Sequence, residues 1–133
     1  MHEGLNIVSG EVVRFKADRL NMNNTGGQEE TAETLKALSV ENNQKLKIPH
    51  MGWNTIRAKK EVPILKGLPA DPYMYFVHSY FVVPDRGDVV ATETDYGAAF
   101  VSMISIDNVF AMQFHPEKSQ RYGLMILKNF GEL

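Results

Sequence analysis

Phe110-Ala111-Met112-Gln113-Phe114-His115-Pro116-Glu117-Lys118-Ser119 runs from an apolar, aromatic segment into a histidine and a carboxylate two positions apart. The opening residues predict a buried strand. Pro116 fixes its own φ and pushes His115 towards extended geometry. Residues i and i+2 of an extended segment project to one side, so His115 and Glu117 are expected side by side at a strand tip. A carboxylate there holds one imidazole nitrogen as N–H and leaves the other free to take a proton. These are two members of a nucleophilic triad. The third is absent as a thiol, because the 133 residues include no cysteine. Read alone, the same His-Pro-Glu is a surface pair of no special meaning.

Working outward, Ser119 is placed to cap a helix over roughly 120–130, where Tyr122, Met125, Ile126 and Phe130 follow helical spacing and Gly131 suits the stop. Asp107-Asn108 is a turn, and segments 89–94 and 98–106 flank Asp95-Tyr96-Gly97 as an antiparallel hairpin. Residues 73–83 are the most aromatic stretch and predict a single strand, closed by a turn at 84–88. Residues 62–68 predict one helical turn. Residues 46–58 read as extended, with Gly52 allowing unusual backbone geometry or a close approach. Residues 10–16 predict a further strand. Between these two strands, 17–47 breaks the pattern. It is turn-rich at 21–27, and its one predicted helix, over 31–40, has Thr31 as N-cap and Leu35 and Leu38 on one face. Many strands followed by one helix is an α+β pattern.

Composition narrows the class of function. The length fits one domain. With 44% hydrophobic and 23% charged residues the chain can bury a core and is not disordered. A formal charge of −2 gives no electrostatic case for nucleic acid or an anionic membrane. No apolar run approaches the roughly 20 residues needed to span a bilayer, and no basic-then-apolar signal opens the chain. Cytoplasm is the default expectation. The histidines at 2, 50, 78 and 115 lack metal-ligand spacing, so no metal is expected.

Further motifs share the chain with His115 and Glu117. They are Pro49-His50-Met51-Gly52-Trp53-Asn54, Tyr75-Phe76-Val77-His78-Ser79-Tyr80, Thr94-Asp95-Tyr96-Gly97 and Gly123-Leu124-Met125-Ile126-Leu127-Lys128-Asn129-Phe130. In this order, with Gln113–Ser119, they resemble the class I glutamine amidotransferases. More narrowly, they resemble the glutaminase subunits of imidazole glycerol phosphate synthases, from about Gly4 to the C-terminus. The resemblance implies an α/β fold, an open sheet flanked by helices, of which this chain forms the C-terminal part. Residues 17–47 are then a loop insertion in a single domain over 1–133. The leading βα region that carries the nucleophilic cysteine and an oxyanion loop is missing. Two explanations stay open: a truncated subunit, or a relative that has lost that half.

The resemblance also implies roles. His115 is the general base that activates the cysteine, and Glu117 orients it. Ser79, Tyr80 and Ser119 line the glutamine pocket. His50, Trp53, Asn54, Tyr75, His78 and Lys118 face the ammonia passage and a cyclase subunit. The expected reaction releases ammonia from glutamine for that cyclase, in histidine biosynthesis, with no cofactor. Without a thiolate the chain alone is expected to be inactive. Lacking the elements that would cover its sheet, it is also expected to self-associate. The alternatives are a nucleophile-free module that only docks on a cyclase, or another class I amidotransferase, such as the glutaminase of pyridoxal phosphate synthesis.

Overall fold

The computed structural model describes residues 3–16 and 46–133. Most of the 17–47 segment, with the helix expected at 31–40, lies outside the described residues. Among the described residues there are eight strands: β1 (Gly10–Arg14), β2 (His50–Thr55), β3 (Arg57–Ala58), β4 (Tyr73–His78), β5 (Tyr80–Pro84), β6 (Val90–Asp95), β7 (Ala99–Ile106) and β8 (Val109–Met112). The α-helix among the described residues, α1 (Gln120–Gly131), follows β8. Short 3-10 turns occupy Pro63–Leu65, Gly87–Val89 and Pro116–Lys118.

β1, β5, β7, β6 and β3 form one sheet in that order, with β8 also paired to β7, while β2 and β4 form a separate two-stranded ribbon. Every pairing among the described residues is antiparallel. The hairpin read around Asp95-Tyr96-Gly97 is β6–β7, with Asp95 opposite Ala99.

The single strand expected over 73–83 is two strands in two sheets. β4 pairs with β2, and β5 pairs with β1. The break at Ser79 has a local cause. The His78 ring donates from Nδ1 to the Tyr80 carbonyl at 2.8 Å, and the Ser79 carbonyl accepts the Phe15 N–H at 3.0 Å. Those contacts turn the backbone out of the ribbon and hand it to β1. Aromatic composition predicts strand in both halves equally well, so it cannot show the turn.

Alternation along β4 places Met74, Phe76 and His78 in the core and leaves Tyr75 and Val77 half-exposed. The core gathers Phe15, Phe76, Phe81, Phe100 and Phe114 with Ile56, Met103 and Ile126. α1 docks through Gly123 and Ile126, and Asn129 donates to the carbonyls of Ile64 and Lys66 at 3.0 and 2.8 Å. Phe130, expected on the packed face, is 55% exposed and meets Phe110 edge to face. The helix ends without a left-handed glycine, because Glu132 takes the C-cap at φ −100°. Gly52 uses a φ of +123° with nothing near it, so its glycine answers to backbone geometry and not to close approach. Among the described residues no helix is long and apolar enough to cross a membrane.

Candidate functional site

β8 ends at Met112, and the chain bends through Gln113 and Phe114 to reach β4, where the His115 N–H donates to the Tyr75 carbonyl at 2.9 Å. His115 itself is extended, at φ −101° and ψ 98°, as the following proline requires. Pro116–Lys118 then coils into a 3-10 turn. The His115 Nδ1 lies 2.9 Å from the Glu117 Oε1, within the range expected of a hydrogen-bonded pair. The two side chains do meet, but through this turn and not by projecting from one face of a strand.

The chemistry follows from the partner. A carboxylate only accepts, so the Nδ1 carries the hydrogen and the Nε2 is left with a free lone pair. The Glu117 carboxyl is held below the usual carboxylate range, first by its own backbone N–H and then by the His115 imidazole. It is therefore ionised at neutral pH and orients the imidazole through its Nδ1–H. The pair is open to solvent, with the His115 side chain 38% exposed. A partly exposed imidazole with an ionised orienter and a free nitrogen is suited to taking a proton from a nucleophile brought to it.

His50 and His78 occupy a different environment. They are opposite one another in the β2–β4 register and both are buried. The His78 Nδ1 is committed as a donor to Tyr80, so its Nε2 accepts from the His50 Nδ1 at 2.8 Å. The His50 Nε2 in turn accepts from the Asn54 amide at 3.3 Å, and that amide also donates to the Asp95 carbonyl at 2.8 Å. Both rings are neutral in this chain of bonds, and a proton added to either would break it. The His50 ring is stacked between Tyr96 and Phe76, with centroids at 4.0 and 4.9 Å. Burial, then the neighbouring His78, lowers the His50 pKa to about 4. Burial also lowers that of His78, against the opposing pull of the Tyr80 carbonyl.

The remaining expected site residues divide between surface and interior. Trp53 is 48% exposed on the outer face of β2, its ring edge-on to Tyr75 at 5.9 Å. Lys118 stands above the Tyr75 ring at 6.0 Å. Met51, which the motif reading passed over, shares this face and is exposed. Its alternation with buried His50 was the signal that would have found it. His50 and His78 do not belong to the face, because the inward side of β2 and β4 carries them into the aromatic core. Asn54 serves the buried pair. Ser79 and Tyr80 lie past the end of β4, at the break that leads into β5. Ser119 is fully buried and its hydroxyl makes no helix-capping bond. It instead bridges β4 and the turn. Among the described residues no cluster of histidine and carboxylates is arranged to hold a metal.

The family model of the glutamine amidotransferase class-I proteins matches residues 7–132. The chain belongs to the class I glutamine amidotransferase family. It is 47% identical over 132 residues to the imidazole glycerol phosphate synthase subunit HisH of Syntrophotalea carbinolica, covering 99% of this chain and 54% of that one. It is 42% identical over 131 residues to the HisH subunit of Methanocaldococcus jannaschii, covering 98% and 53%. Over a shorter stretch of 85 residues, 64% of this chain and 41% of the other, it is 60% identical to the HisH subunit of Aquifex aeolicus. The chain thus spans about half the length of the curated relatives it matches. A crystal structure of a Thermoplasma acidophilum protein assigned to GMP synthase superposes with a TM-score of 0.53 at 25% identity, over 64% of this chain and 44% of that one. The α/β class of the amidotransferase fold stands, and the antiparallel sheets with a closing helix are this part of it.

Proposed function

We propose that this chain forms the base-bearing part of a glutaminase subunit of imidazole glycerol phosphate synthase, folded as one amidotransferase-like domain with 17–47 as an insertion. The observation that carries the reading is the His115–Glu117 pair, at 2.9 Å with the Nε2 free, in a chain of this family. His115 takes the proton of a cysteine thiol and returns it to the departing ammonia, and Glu117 keeps the imidazole in the required tautomer. The glutamyl thioester left behind is hydrolysed by water that the same base activates. The 133 residues hold no cysteine, so the thiol comes from chain beyond this sequence and the segment alone hydrolyses no glutamine. Ser79 and Tyr80 are the proposed glutamine contacts. The cytoplasm is the proposed compartment.

Trp53, Tyr75, Lys118 and Met51 form the proposed docking face for the cyclase subunit. Exposed tryptophan beside a cation and a tyrosine is the composition of a binding hot spot. Calorimetric titration of the chain with that cyclase tests it. Binding is expected, and Trp53→Ala should weaken it by about 2 kcal/mol, roughly thirtyfold in Kd. No binding, or binding indifferent to Trp53, would overturn the docking face. Affinity for the pyridoxal phosphate synthase partner in its place would move the chain to another class I amidotransferase.

A further inference from the structure

The turn that carries His115 and Glu117 is fastened on two sides by residues that bond to its backbone and not to the imidazole or the carboxylate. On the sheet side, Tyr75 uses both of its backbone groups. Its carbonyl accepts the His115 N–H at 2.9 Å, and its N–H donates to the Ser119 Oγ at 2.9 Å. The Ser119 hydroxyl then donates to the His115 carbonyl at 2.6 Å. One buried hydroxyl thus ties the histidine backbone to β4 and spends both its donor and its acceptor there.

On the helix side stands Gly123, buried in the first turn of α1. A Cβ at this position would be driven into the Pro116 carbonyl, 2.7 Å from its carbon and 2.7 Å from the Ser119 Cβ. Carbon atoms in contact normally stand about 3.5–4.0 Å apart. The obstacle is backbone, which cannot rotate away as a side chain would. Glycine inside a helix costs about 1 kcal/mol relative to alanine, so propensity alone argues against it here. What it provides is room for the Pro116–Lys118 turn to sit directly on α1.

We infer that Ser119 and Gly123 are positioning residues for the His115–Glu117 pair. Gly123 lets α1 seat the turn, Ser119 ties the turn to β4, and together they hold the imidazole within bonding distance of the carboxylate. The inference rests on the reading of His115 as the base, yet its geometry is measurable without turnover.

The test is the tautomer of neutral His115 in the 133-residue chain, read from long-range proton–nitrogen NMR correlations. Free histidine favours the Nε2–H form, whereas the Glu117 contact requires Nδ1–H. Wild type should show mainly Nδ1–H, and Glu117→Ala should revert to mainly Nε2–H. Gly123→Ala should revert as fully as Glu117→Ala while far-UV circular dichroism still shows the helix. Ser119→Ala should revert in part. If wild type and Glu117→Ala both show Nε2–H, the base-and-orienter reading itself fails. If they differ but Gly123→Ala and Ser119→Ala both match wild type, the positioning role fails alone. Should Gly123→Ala not fold, Ser119→Ala decides by itself, since it removes two hydrogen bonds and no carbon.

Discussion

Two histidine pairs divide the labour of this molecule. His115 meets a carboxylate at 2.9 Å on the surface, and His50 meets a second histidine at 2.8 Å in the core. The contact lengths are alike, but what surrounds them is not. The surface imidazole has one nitrogen committed to the Glu117 carboxylate, and the other meets no partner among the described residues. The buried imidazole has both nitrogens committed, lies between two aromatic faces and is penalised for gaining charge. A neutral imidazole takes a proton at the nitrogen that carries its lone pair, and in His50 that lone pair already accepts from the Asn54 amide. The His50–His78 pair is therefore a polar element of the core, satisfied at each atom, and its place is structural.

That division is broken most easily by truncation. His50→Ala leaves a void between Tyr96 and Phe76 and strands the His78 Nε2 without its donor. It should cost about 3 kcal/mol in urea unfolding. His115→Ala at the exposed site should stay within about 0.5 kcal/mol of wild type. Comparable losses from both would erase the distinction between core and site.

The acid response is the next largest effect. The His50 pKa falls from 6.5 in the unfolded chain to about 4 in the native one, so between those values the unfolded chain binds more protons. The stability this group contributes is complete above about pH 6.5 and is lost as pH falls towards about 4. Denaturant midpoints measured across that window should decline with falling pH, and His50→Asn should flatten the decline. A midpoint that is level from pH 6.5 to 4 in wild type would mean that the pair is not held neutral by burial.

Self-association should give the smallest signal. β1 is an outer strand of its sheet, and Val12 on it is exposed. Light scattering over a dilution series should show mass rising with concentration. A monomer throughout would mean that the exposed strand is already protected.

The two pairs also differ in how far they could be read from residues alone. The β6–β7 hairpin was legible because Asp95-Tyr96-Gly97 is a turn between two segments of strand-like composition, and the final helix because its apolar residues keep a helical period. The meeting of His115 and Glu117 was legible too, though the 3-10 turn that produces it was not, since three residues carry no period. The hidden features were set by tertiary contact. The break at Ser79 depends on Phe15, 64 positions earlier. The burial of His50 and His78 depends on which face of the ribbon turns inward. Motif resemblance assigned both to a partner surface, because a motif records which residues occur together and not which side they face. Ser119 likewise reads as a helix cap from its position, but its hydroxyl is taken by β4 and the His115 carbonyl.

The central claim is that His115 is the base of a glutaminase. Its most direct test is a chimera in which residues 7–132 of this chain replace the matching region of the Syntrophotalea carbinolica HisH protein, assayed for glutamate release from glutamine with the cyclase present. The chimera should turn over, and His115→Ala within it should lower the rate by about a hundredfold or more while leaving cyclase binding intact. A chimera that folds and binds but releases no glutamate, or one whose activity survives His115→Ala, would contradict the account.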